Sequence, residues 1–73
     1  MLTEQYVQNK VQEWNKQQRA QYLSAYRMGD WDTVYAMTED LHGCAYIRAQ
    51  ARHELAAEIG YAILGDGWQH HIL

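Results

Sequence analysis

Apolar positions recur along this chain with the 3, 4 spacing of helices and not with the strict alternation of strands. From residue 4 to residue 28 the inward set is Val7, Val11, Trp14, Gln18, Gln21, Ala25 and Met28, advancing by 4, 3, 4, 3, 4 and 3 residues. That is a heptad seam, the pattern by which one helix packs lengthwise on another. Thr3 supplies an N-cap and Gly29 a left-handed C-terminal residue. Lys16, Arg19, Leu23 and Arg27 fall away from the seam.

A second seam begins at once. Gly29 and Asp30 form a two-residue turn, with Asp30 capping the next helix, and Trp31, Val34, Thr38, Leu41, Ala45, Arg48, Arg52, Leu55, Ile59 and Ala62 follow in the same 3, 4 rhythm. The rhythm crosses Gly43 unbroken, and the residues after that glycine, Cys44 and Ala45, are poor caps for a fresh helix. The pattern therefore predicts one long helix over about 31–64, bent or broken at Gly43 if anywhere, and a tail over 65–73. The expectation is an all-α antiparallel hairpin, a single helical domain over 1–73 with helices at about 4–28 and 31–64. In that hairpin Val7 faces Arg52, Val11 faces Arg48, Trp14 faces Ala45, Gln18 faces Leu41 and Gln21 faces Thr38.

The second helix outruns the first by roughly 10 residues, or about 15 Å. Leu55, Ile59, Tyr61, Ala62, Ile63 and Leu64, with Trp68 beyond them, would then lie open to water in a monomer. Covering them favours self-association, and two hairpins make a four-helix-bundle-like oligomer, most simply a dimer. Gln18 and Gln21 are polar residues inside a seam, a device that fixes register and oligomer number.

Composition adds the setting. The 73 residues include no proline and a single cysteine, so turns are few and no disulfide can form within the chain. No run approaches the roughly 18 apolar residues of a membrane span, and the start has no basic segment followed by an apolar one. The expectation is a cytoplasmic chain with no membrane contact. Its net charge of −3 is uneven: residues 1–29 carry +2, residues 30–43 carry −4 and the rest carry −1. No region is basic enough to mark a nucleic-acid footprint.

Candidate chemistry is sparse. Arg48 and Arg52, one helical turn apart on the buried seam, could pair with Glu4, with Glu54 or Glu58, with a carboxylate of a second subunit, or with a ligand anion, because planar guanidinium groups suit two-point recognition. His42, Cys44, His53, His70 and His71 offer soft metal ligands without the paired spacing of a zinc site. There is no glycine-rich phosphate loop, nucleophile elbow or pair of catalytic carboxylates, so neither an enzyme nor a cofactor is expected. The reading that remains is a small protein-binding regulator, inhibitor or adaptor acting as a homo-oligomeric bundle. Its rival is a Rop-like nucleic-acid-binding helical bundle, using Lys10, Lys16, Arg19 and Arg27 of the first helix.

Overall fold

The computed structural model of the chain describes residues 2–65. They form four helices: α1 (Leu2–Glu13), α2 (Lys16–Met28), α3 (Trp31–Met37) and α4 (Ala45–Leu64). The described residues are all-helical in class, as the spacing predicts, but each of the two long helices expected from the seams is divided.

The first division is made by Asn15. Its side chain accepts from the Gln18 N–H at 2.8 Å, and the Gln18 side-chain carbonyl accepts from the Asn15 N–H at 3.0 Å. This reciprocal box satisfies donors that a new helix start would otherwise leave bare. On the other side of the break, Arg19 Nη1 donates to the Val11 and Trp14 carbonyls at 2.8 and 3.0 Å, serving acceptors left over at the end of α1. Gln18, expected to set register inside a seam, is instead exposed and spends its amide on the cap; Gln21 is exposed as well.

The turn between α2 and α3 follows the sequence expectation. Gly29 adopts a left-handed conformation at φ 75°, and its N–H and that of Asp30 both reach the Ala25 carbonyl. Asp30 then caps α3 through Thr33, with a 2.7 Å bond from the Thr33 hydroxyl.

The second division is wider than a bend. α3 stops at Met37, and residues 38–44 are non-helical. Thr38 turns its hydroxyl back to the Val34 carbonyl at 2.8 Å, and Gly43 takes φ 125°, which a helix cannot hold. A side chain at Gly43 would also press on Ile47, 3.1 Å from its Cγ2. The regular spacing across residues 38–45 does not prevent the chain from reversing there.

These two reversals replace the extended hairpin with a cluster of short helices. A helix over 31–64 alone would measure about 50 Å, whereas the longest principal extent of the molecule is 28 Å. α4 is the central element: α1 and α2 both pack on it, and α3 packs on α2. The core joins Val7, Trp14, Tyr22, Leu23, Ala25, Val34, Leu55, Ala56 and Ile59. Leu55 and Ile59, expected to need a second subunit for cover, are 0% and 1% exposed within the single chain. Leu23, placed off the seam, is also buried, while Met28 and Trp31 from the two seams are 71% and 45% exposed. For Leu23 and Met28 the cause is the break at Asn15: α2 starts afresh there and presents to α4 a different face from the one the unbroken heptad predicts.

Candidate functional site

Between α3, the loop that follows it and the first half of α4, the chain forms an open groove. Its larger part, about 600 Å3, is lined by Tyr35, Glu39, Leu41, Ala45, Arg48, Ala49 and Arg52. A smaller recess of about 180 Å3 is lined by Tyr26, Trp31, Tyr35, Ala49 and Arg52. Tyr35, Ala49 and Arg52 belong to both, so the two are one continuous surface.

Each wall is positioned by a nameable contact. On the α3 side Trp31 meets the Tyr26 ring edge-on, with centroids 5.2 Å apart and planes at 88°. Tyr26 shares a 3.1 Å hydrogen bond with Nδ1 of His53 on α4. On the α4 side Arg52 is held at two points. Its Nε donates to the Thr38 hydroxyl at 2.9 Å, and its guanidinium lies over the Tyr35 ring, 4.5 Å from the centroid. The backbone of the same residue is anchored too, since the buried Tyr22 hydroxyl donates to the Arg52 carbonyl at 2.9 Å. Arg52 is therefore fixed in direction by a neutral hydroxyl and an aromatic face, neither of which cancels its charge.

Arg48 stands one turn earlier. Its Nε is buried and has no hydrogen-bond partner among the described residues. A buried donor without an acceptor costs on the order of 1–3 kcal/mol, so a folded protein rarely leaves one. Among the described residues no carboxylate lies within ion-pairing distance of either arginine, and Asp40 pairs with Lys10.

Glu4 is brought elsewhere. It is exposed and lines a separate recess with Thr3, Val7, Gln8, Gln50, Glu54 and Glu58, none of which borders the arginine groove. Three carboxylates therefore gather at that recess, away from the arginines for which they were candidate partners.

The basic set on the first helix is also dispersed. Lys10 is buried, with its Nζ 2.8 Å from Asp40 Oδ2 and near the faces of Tyr6 and Trp14. Tyr6 donates its hydroxyl to the other Asp40 oxygen at 2.9 Å. Partial burial would raise the Asp40 carboxyl, but the hydrogen bonds from Lys10 and Tyr6 and the Lys10 charge outweigh it and hold the group below its ordinary range. Burial, then the Asp40 hydrogen bond and charge, push the Tyr6 phenol well above its ordinary range. Arg19 is occupied at the end of α1 as well, while Lys16 is exposed and Arg27 is half-buried, so the four cations share no common face.

Of the surface expected at the end of α4, Tyr61, Ala62 and Ile63 are exposed, while the Leu64 side chain and Trp68 lie outside the described residues. His70 and His71 lie outside them as well, and among the described residues no group of three potential ligands gathers for a metal ion. No helix among them is long and apolar enough to cross a membrane.

Sequence reasoning found the two arginines but not their surroundings. Tyr35 and Trp31 line the groove, and Thr38 meets Arg52, because the helix ends at Met37, whereas a reading that runs straight through residues 38–44 places α3 in line with α4. The one local signal was Gly43 itself. Compared with known proteins, the chain matches no protein-family model, no curated protein and no solved structure.

Proposed function

We propose that this chain is a small, non-enzymatic protein-binding module, a regulator, inhibitor or adaptor, that engages its partner through the groove between α3 and α4. The observation that carries the reading is the grouping of Trp31, Tyr35, Arg48 and Arg52 on that one concave surface. Tryptophan, tyrosine and arginine dominate the binding energy of protein interfaces, because each offers a large contact area with a directed polar group. Trp31 and Tyr35 are 45% and 52% exposed, so this area is available without unfolding anything.

Self-association is a second part of the proposal and rests on a different surface. Tyr61 and Ile63 at the end of α4 are each 49% exposed, and this apolar exposure supports a helical-bundle dimer in which these ends pair between copies. A cytoplasmic setting fits the exposed thiol of Cys44, the one cysteine of the sequence.

The test is affinity capture from the native host with the wild-type chain beside Trp31→Ala and Tyr35→Ala. Both variants change exposed side chains and are expected to keep the helical circular dichroism spectrum while losing the captured protein. Capture that survives both substitutions places the binding surface elsewhere. Sedimentation equilibrium of the wild type and Ile63→Asp tests the dimer separately: a wild type that stays monomeric at micromolar concentration removes that part of the proposal.

A further inference from the structure

We infer that the partner's contribution to the groove is a carboxylate, an aspartate or glutamate side chain flanked by an apolar or aromatic residue, bound between Arg48 and Arg52. The inference rests on the protein-binding reading of the groove and specifies its chemistry.

Three observations lead to it. The first is the uncommitted cation: Arg48 lines the open groove, and its buried Nε has no acceptor among the described residues that would hold the charge inside the fold. The second is spacing. Residues four apart on a helix stand on one face with Cβ atoms about 5–6 Å apart, so two guanidinium groups from Arg48 and Arg52 can converge on one anion. The third is preorganisation. The Thr38 hydroxyl and the Tyr35 ring already hold Arg52, which lowers the entropy lost when an anion binds.

Charge selects the kind of anion. Glu39 also lines the groove, and Asp30, Asp32 and Asp40 lie on the same stretch of chain. A polyanion such as RNA would bring many phosphates against all of these acids, whereas a single carboxylate in the groove meets two arginines against one acid, Glu39. The adjoining recess, walled by Tyr26, Trp31 and Tyr35, suits an apolar neighbour of that carboxylate. An acidic residue next to an apolar one on an otherwise weakly charged peptide satisfies both halves of the surface.

The experiment selects random peptides, displayed on phage, against the full chain tethered at its N-terminus. The strongest binder is then synthesised in its acidic form and with each acid replaced by the matching amide. Binding is measured to the wild type, Arg48→Lys, Arg52→Lys and Tyr35→Ala, with circular dichroism reporting that each variant is folded. The expected result is a selected motif with Asp or Glu beside an apolar residue, and a loss of about ten-fold or more on the amide form. Either lysine variant should bring a comparable loss, since lysine keeps the charge but not the planar fork. In 15N spectra the Arg48 Nε–Hε signal should move on adding the acidic peptide. If the acidic and amide forms bind alike, yet both depend on Tyr35, the carboxylate inference is overturned while the protein-binding groove stands. Should no peptide be selected, or should the bound ones ignore Tyr35 and both arginines, both readings fall. A short RNA bound with affinity falling steeply with salt overturns both as well.

Discussion

Arg52 Nε donates to the hydroxyl of Thr38 at 2.9 Å, tying the middle of α4 to the residue at which α3 ends. Thr38 is fully buried, and the same hydroxyl donates to the Val34 carbonyl. One oxygen therefore closes α3, ties its end to α4, and orients an arginine that lines the groove.

Thr38→Val keeps the side-chain shape and removes both bonds. Because Arg52 loses its acceptor in a half-buried position, the expected cost is about 1–3 kcal/mol. Urea denaturation should show a lower midpoint with an unchanged slope, the sign of lost stability without a change in the surface exposed on unfolding. A midpoint equal to that of the wild type would mean that water serves Arg52 as well as threonine does.

The break at Asn15 makes a second prediction, and it separates the observed fold from the hairpin the seams suggest. Asn15→Ala deletes half of a capping box and should cost about 1 kcal/mol, whereas Gln21→Ala, at an exposed helical site, should stay within about 0.5 kcal/mol. A hairpin with Gln21 in its seam reverses that order: alanine at position 15 would then favour a continuous helix. Paired thermal melts of the two variants decide the matter.

The same residue shows what was legible in the sequence. The helical class, the Gly29 and Asp30 turn and the placing of Arg48 and Arg52 on one face of α4 follow from spacing and residue chemistry. The box formed by Asn15 and Gln18 was equally present in the letters, but a heptad that runs through residues 7–28 masks it, because periodicity does not register a satisfied break. The loop at 38–44 was marked only by Gly43, and a glycine does not say which way the chain turns. Leu55 and Ile59 show the consequence: their apolar character was plain, but whether α1 or a second copy covers them depends on those two reversals.

The cluster of Lys10, Asp40 and Tyr6 predicts sensitivity to pH in both directions. The Asp40 carboxyl is held below its unfolded value, so the stability it contributes is present above about pH 4 and is lost as pH falls through the folded-state value. The Tyr6, Tyr22 and Tyr26 phenols are all raised, in each case chiefly by burial. Their contribution is complete below about pH 10 and declines as pH rises toward the folded-state values, because the unfolded chain ionises first. Urea midpoints across pH should therefore fall at both ends. Asp40→Asn should lower the plateau and flatten the acid limb, and Tyr6→Phe should flatten part of the alkaline limb. An acid limb that is the same for Asp40→Asn as for the wild type would assign the acid sensitivity to other carboxylates.

Arg48 sets stability against binding. Its buried Nε has no acceptor among the described residues, so the fold bears a desolvation cost without the bond that would offset it. Arg48→Met keeps an unbranched stem of similar reach and removes that donor, and replacing a buried, unsatisfied polar group by an apolar one is commonly neutral or stabilising. The expected result is a urea midpoint equal to or above that of the wild type, together with loss of binding to the acidic peptide. Arg52→Met should behave differently, since Arg52 does have partners in Thr38 and Tyr35: it should lose both stability and binding. A large destabilisation by Arg48→Met would instead show that the arginine holds the fold together, and its position in the groove would then follow from packing and not from recognition.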